Sequence, residues 1–283
     1  MNDKSGSVLI INDMTGYGRV STMAMLPVLT AYGLHPYTLP TALVSNATEY
    51  GNAEFLDTTE YMRAACAAWK KNGFSFGAVA TGLFLSKEQT EIVSELIDEQ
   101  SPKIVFSDPI MADNGEIYDG MCEDIVECNR AMAKRADVLI PNFTEATMLT
   151  GMYEGRTALS EDEFERLADA LISLGSKAVV ISSCRLSGTG EVFNLVRDCG
   201  ETRSHFLQYK EQPRPFVGTG DIFSAVIIAE TLKGASLRSA AEAAAGFIEK
   251  VLSGHGADDD PRDLRIEEFL QYLPTPRPSS EAR

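Results

Sequence analysis

Short runs of apolar, β-branched residues alternate with longer segments of helical period along most of this chain, and that alternation limits the fold more than any other feature. The strand-like runs are "SVLIIN" (7–12), "PYTLPTALV" (36–44), "SFGAVAT" (75–81), "KIVFSD" (103–108), "DVLIPN" (137–142) and "AVVISS" (178–183). Helical segments fall between them at about 18–32, 57–72, 86–99, 121–135, 144–150 and 160–174. The pattern predicts a mostly parallel central sheet with helices on both faces, an α/β three-layer sandwich. After residue 183 it changes. "EVFNLVRD" and "TRSHFLQY", separated by "CGE", read as an antiparallel hairpin, and helices return at about 221–233, 236–252 and 264–272. No Pro/Gly/Ser linker and no internal repeat divides the chain, so residues 1–283 read as a single domain with a mobile tail at about 274–283.

Composition removes several classes of function. The 25 basic residues are outnumbered by 41 acidic ones, and no basic cluster is available to follow a nucleic-acid backbone. Five cysteines, odd in number and without CxxC spacing, suggest neither a disulfide framework nor a zinc site, which fits a reducing cytoplasm. "MNDKSGS" leads into a strand instead of a signal-type apolar segment, and no run is long enough to cross a bilayer, so the expectation is a soluble cytoplasmic protein without a membrane partner.

In open α/β sheets ligands bind beyond the carboxyl ends of the strands. Polar residues stand there in "NDMTGYG", "SNATEYGN", "DPIMADNG" and "PNFTEATMLTG", and a fifth group, "VGTGD" (217–221), precedes a long apolar helix. Two readings of that group compete. In one, Asp221 is an ordinary N-cap after a glycine turn. In the other, Gly218, Thr219 and Gly220 leave backbone N–H groups free at a helix N-terminus to cradle a phosphoryl group, and Asp221 takes the proton of an incoming hydroxyl. "SGTGEVFNL" (187–195) has similar letters but precedes a short β-branched run, so it reads as a hairpin turn.

The other groups carry similar pairs of readings. "PNFTEATMLTG" is either a helix opened by Asn142 or Thr144, or a place where Asn142 and Glu145 hold the waters of a Mg²⁺ on nucleotide phosphates. Asp108 either ends its strand in a turn or helps to hold the same hydrated ion. "GYGRVS" lacks the third glycine and the distal acid of a dinucleotide fingerprint, which speaks against a nicotinamide enzyme. His35, His205 and His255 are scattered and carry no assigned role, Trp69 reads as packing, and "DDDPRD" (258–263) as a solvated connection.

Taken in order, "IINDMTGYGRVS", "PTALVSNATEYGN", "FSDPIMADNGEIY", "VLIPNFTEATMLTG" and "VGTGDIFSA" resemble the pyridoxal kinases of the ribokinase-like superfamily, closest to its pyridoxamine kinase group, over residues 7–255. The resemblance implies a ribokinase-like sandwich that transfers the γ-phosphoryl group of ATP to the 5′-hydroxymethyl of vitamin B6 vitamers, with Mg²⁺ and a monovalent cation such as K⁺, in a homodimer. It implies Asp221 as base, Gly218, Thr219 and Gly220 as the anion hole, and Asp108, Asn142, Glu145 and Ser183 beside ATP. Asp108 and Glu145 would hold the metal through water. Asp13, Thr48, Glu49 and Tyr50 would fall at the vitamer. Ala47 replaces a histidine common in the family, Leu83 a tyrosine, and Asp13 a serine, while Ser182 or Ser183 stands where a lysine is found.

Two related activities and one of another class compete with this reading. Hydroxymethylpyrimidine kinase is the nearest rival, although "SNATEYG" favours the B6 branch. A sugar kinase fits less well, because such enzymes insert lid strands early whereas "IINDMTGYG" reads straight into a helix. A non-catalytic vitamer carrier on the same fold would need no base beside an anion nest.

Overall fold

The computed structural model describes residues 6–211, 216–256 and 259–274. Residues 212–215, the first part of "DDDPRD" and the tail beyond Pro274 lie outside that set. Eleven strands and eight helices follow in chain order among the described residues: β1 Ser7–Tyr17, α1 Ser21–Ala31, β2 His35–Asn46, β3 Phe55–Asp57, α2 Thr59–Asn72, β4 Ala78–Thr81, α3 Lys87–Gln100, β5 Ile104–Ser107, β6 Ala112–Asp113, β7 Glu116–Ile117, α4 Ile125–Ala133, β8 Val138–Leu139, α5 Phe143–Thr150, α6 Glu161–Ser173, β9 Ala178–Arg185, β10 Val192–Arg197, β11 His205–Gln208, α7 Thr219–Leu232 and α8 Leu237–Gly254.

Nine of the strands form one sheet in the order β11-β10-β9-β8-β5-β4-β1-β2-β3. Its six central strands are parallel, while β3 at one edge and β10 and β11 at the other run antiparallel. The pleat sorts the side chains. Val8 and Ile10 of β1, Ala80 of β4, Phe106 and Val180 face a layer built from α1, α7 and α8. Leu9, Ile11, Val79 and Val105 face α2 and α3, and Leu139, Val179 and Ile181 face α4, α5 and α6. Strands buried on both faces need near-continuous apolar sequence, which is why "SVLIIN" and "AVVISS" show no polar alternation. Helix α7 is buried without a break from Ile222 to Glu230. An element apolar all round belongs in a core, and each large side chain so buried stabilises the fold by roughly 1.5–3 kcal/mol.

Several sequence expectations are corrected. Strand β1 does not stop at Asn12 before a helix. It pairs with β4 only as far as Ile11 and continues beside β2 to Tyr17, where the antiparallel β3 extends the same ribbon. "MTGY" is polar and contains glycine, so burial does not announce it as strand. Backbone pairing with Leu43, Val44 and Asn46 supplies the order instead. The chain thus carries an early strand extension that the sequence reading denied. The expected helix at 264–272 is two 3-10 turns, Ile266–Glu268 and Leu270–Tyr272, and the helix at 121–135 shrinks to α4. The short β6–β7 hairpin was not anticipated.

Candidate active site

Helix α1, which follows β1, covers one face of the sheet, and α3, which follows β4, covers the other. The carboxyl ends of these adjacent strands therefore open a crevice at a topological switch point. At that point Asn12 replaces the missing strand pairing. Its Oδ1 accepts hydrogen bonds from the backbone N–H of Leu83 at 2.8 Å and of Asp13 at 2.9 Å. A Cβ at Gly82 would stand 2.4 Å from the Asn12 side chain, so glycine is needed for this close approach. Beyond it β2 gains one residue relative to β1, a bulge opposite Asp13.

A cavity of about 450 Å³ occupies the crevice. The ends of β1 and β2 contribute Asp13, Thr15, Val44, Ala47, Thr48 and Glu49, and β3 adds Phe55. Along the same sheet edge the wall continues with Asp108, Asn142, Glu145, Ser182 and Ser183, and the start of α7 brings Gly218, Thr219, Gly220, Asp221 and Ser224. Tyr50 does not reach the wall. Its ring packs edge-on against Tyr17 at 5.1 Å, and the Arg262 guanidinium lies 4.6 Å from its centroid.

The glycine turn is built by direct contact with the segment after β1. Gly218, not Asp221, is the N-cap of α7, with φ +85°. A Cβ there would fall 2.1 Å from the carbonyl oxygen of Arg19, so both conformation and space demand glycine. The first intrahelical bond runs from Ile222 N–H to the Gly218 carbonyl. The N–H groups of Thr219, Gly220 and Asp221 precede it and belong to the set a helix cannot satisfy internally. Nothing lies within 4 Å of a Cβ built on Gly220, which leaves its backbone open to the cavity.

Asp221, third residue of α7, is partly buried. Burial pushes its carboxyl up to about 8, the backbone N–H of Ser21 pulls it back, and Asp108, Asp13 and Glu49 add to the rise. One turn further on, the hydroxyl of Ser224 donates to Asp108 at 2.6 Å, and burial still brings Asp108 to about 7. Glu145 is buried and held well above the ordinary carboxylate range, first by burial and then by the charge of Asp108. It forms a capping box with Asn142, whose N–H donates to Glu145 Oε2 at 2.8 Å, and it also accepts from Met111 N–H at 3.1 Å. Asn142 in turn donates to the Ala112 carbonyl at 2.7 Å. Helix capping and a place on the cavity wall are thus compatible roles for this pair. Asp13 is raised by burial, offset by hydroxyls of Ser21 and Thr15, the latter donating at 3.0 Å.

Seven carboxylates line the cavity, and among its described lining residues no lysine, arginine or histidine balances them. Such a wall suits hard cations and ligands that bring cations with them. Ser21, Ser224 and Asn12 were not singled out from sequence. Ser224 could have been found one helical turn beyond Asp221, whereas the roles of Ser21 and Asn12 arise only from strand and loop packing.

A family model for phosphomethylpyrimidine kinase matches residues 22–259. The chain is 30% identical to a pyridoxine/pyridoxal/pyridoxamine kinase of Bordetella avium, over 94% of this chain and 93% of that protein. It is also 30% identical to a hydroxymethylpyrimidine/phosphomethylpyrimidine kinase of Bacillus subtilis, over 63% of this chain and 67% of the relative. A Bacteroides thetaiotaomicron protein assigned as a phosphomethylpyrimidine kinase and crystallised with pyridoxal superimposes with a TM-score of 0.89 at 29% identity, covering 95% of this chain and 96% of that one. The order of elements, the crevice at the switch point and these matches lead to one assignment: the chain belongs to the phosphomethylpyrimidine kinase family, and its fold is that of the ribokinase-like pyridoxal kinases.

Proposed function

We propose that the chain catalyses ATP-dependent phosphorylation of the 5′-hydroxymethyl group of pyridoxal, pyridoxamine and pyridoxine. The observation that carries this reading is Asp221 on an open glycine turn at the N-terminus of α7, in the same cavity as Asp13, Val44, Phe55 and Leu83. Asp221 takes the proton of the vitamer hydroxyl. The hydroxyl oxygen bonds to the γ-phosphorus, the bond from that phosphorus to the β-phosphate oxygen breaks, and ADP leaves with the electron pair. Backbone N–H groups of Thr219, Gly220 and Asp221 meet the charge on the transferring group, aided by the helix dipole.

Asp108 and Glu145 are the side chains that would hold Mg²⁺. Their oxygen donors, their mutual repulsion and the lack of a cationic side chain among the described lining residues fit a hard divalent ion. Both Glu145 oxygens already accept backbone hydrogen bonds, and no three metal-binding side chains converge among the described residues, which supports contact through water. When bound, Mg²⁺ would offset phosphate charge. Asn142 and Ser183 border the same end and are proposed to face the nucleotide, while Thr48 and Glu49 are proposed to face the vitamer. Ala47 and Leu83 line the cavity where many pyridoxal kinases have a histidine and a tyrosine. A role for K⁺, a homodimeric state and a cytoplasmic location belong to the same proposal. The described cysteines are free thiols, no described helix is long and apolar enough to cross a membrane, and one continuous sheet supports a single kinase domain.

The test measures kcat/KM with Mg-ATP and K⁺ for pyridoxal, pyridoxine, pyridoxamine and hydroxymethylpyrimidine. The expected result is turnover of a B6 vitamer with the higher kcat/KM. Turnover of the pyrimidine alone would move the enzyme to the Bacillus subtilis relative's activity, and tight binding without turnover would make it a carrier.

A further inference from the structure

Residues 259–269, whose first part reads in the sequence as a solvated connection, are fastened to the core and touch three segments that border the cavity. Leu264, Ile266 and Phe269 are buried in the layer of α1, α7 and α8. From this base the Pro261 carbonyl accepts from Val217 N–H at 3.0 Å, just before the glycine turn. Phe269 stacks on His255 at 5.0 Å, and His255 packs on Phe216 at 4.9 Å. Glu267 accepts from Arg19 Nε at 2.7 Å, in the segment that joins β1 to α1. The Arg262 guanidinium lies 4.6 Å from the centre of the Tyr50 ring, and it donates to Asp260 through Nε at 2.9 Å and Nη2 at 2.8 Å. Asp260 thus fixes the direction of the cation that meets the ring.

Tyr50 stays off the cavity wall, but its neighbours do not. Thr48 and Glu49 line the cavity and share a 3-10 turn with Tyr50. That turn is a closed unit. Tyr50 N–H donates to the Ala47 carbonyl at 3.0 Å, Gly51 N–H to that of Thr48 at 2.8 Å, and the Asn46 amide to those of Ala47 and Gly51 at 3.1 and 3.0 Å. A displacement of the Tyr50 backbone therefore carries Thr48 and Glu49 with it. The turn follows β2 at the tip of the ribbon, where β1 has already left β4 at Ile11, so contacts with residues 259–269 help to set its place relative to α7.

We propose that Arg262 is a positioning residue that holds the Thr48–Tyr50 turn in place beside the cavity, and so raises affinity for the alcohol substrate without touching it. This inference rests on the functional reading above. Arg262 acts on the alcohol and not on the phosphoryl turn, because Phe216 and Val217 are held by His255 and the Pro261 carbonyl, which Arg262→Ala leaves in place.

The test compares Arg262→Ala with the parent. Arg262 is exposed, so Tm should stay within about 2 °C of the parent. The Kd for pyridoxal without ATP and the KM for pyridoxal should both rise about two- to five-fold, the scale of an exposed cation–π contact. The KM for Mg-ATP and kcat should change less, a split that a merely structural role would not produce. Arg262→Lys should recover part of the loss, and Tyr50→Phe, which keeps the ring face, should show a smaller rise than Tyr50→Leu. In a Tyr50→Leu background Arg262→Ala should add little, since the cation acts through that ring. Unchanged Kd and KM for pyridoxal, equal rises in both KM values, or a full effect persisting in Tyr50→Leu would overturn the proposal. The parent's own turnover separates the two layers. If the parent phosphorylates no vitamer, the functional reading fails and takes the proposal with it; if the parent is active and Arg262→Ala matches it, the Arg262 proposal alone fails.

Discussion

Replacing Asp221 by asparagine should make the ligand-free protein more stable at alkaline pH, and the structure sets the sign and scale of that gain. The Asp221 carboxyl is raised from 3.8 to about 8, chiefly by burial. Between those values the folded chain keeps a proton that the unfolded chain releases, so stability falls as pH rises across this window and the full cost is reached above about 8. A gap of about four pH units has a ceiling of about 6 kcal/mol at ~1.4 kcal/mol per unit. Asp221 is only partly buried and its cavity admits water, so we expect about 2 kcal/mol to be recovered. Asparagine keeps the shape and can still accept from Ser21 N–H, while removing the charge. Urea unfolding in chelator at pH 5 and pH 8.5 measures this directly. Asp221→Asn should lie close to the parent at pH 5 and above it at pH 8.5, and added Mg²⁺ should narrow the gap. An equal difference at both pH values, or a less stable variant at pH 8.5, would refute the reasoning.

Other substitutions separate folding from chemistry. Gly218→Ala forces a Cβ against the Arg19 carbonyl at positive φ and should cost about 3 kcal/mol or more, read as a lowered Tm. Gly220→Ala meets nothing in the free protein and should leave Tm nearly unchanged, yet it should lower kcat about ten-fold or more by intruding on the phosphoryl position. Ser224→Ala removes the 2.6 Å bond that stabilises ionised Asp108, so the acid limb of kcat/KM should shift upward and the KM for Mg-ATP should rise.

The layers of the fold were legible because strands buried on both faces leave continuous apolar runs, as in "SVLIIN", and helices with one apolar face leave a helical period, as in α6. The ribbon beyond Asn12 was not, because its order comes from cross-strand pairing of polar residues and not from burial. The 264–272 segment has helix-forming residues but is held as successive 3-10 turns, with Ile266 and Phe269 buried against the α8 layer. The strand-end rule brought Asp13, Asp108, Asn142, Glu145, Ser183 and the Gly218–Asp221 turn to one cavity wall, but it could not foresee that Tyr50 turns to Tyr17. The place of Ser21 on the same cavity wall as Asp13 and Asp221 depends on tertiary docking of Arg19 and Val20 against the start of α7, which no local pattern in the sequence encodes.

The central claim is that Asp221 removes the proton from a vitamer hydroxyl as ATP phosphorylates it. ATP labelled with ¹⁸O in its γ-phosphoryl group, supplied with Mg²⁺, K⁺ and pyridoxal to the parent protein and to Asp221→Asn, tests it by mass spectrometry of the product. The account predicts pyridoxal 5′-phosphate carrying the labelled phosphoryl group from the parent, with a rate at least about a hundred-fold lower from the variant. No phosphorylated vitamer from the parent, or equal rates from both proteins, would contradict it.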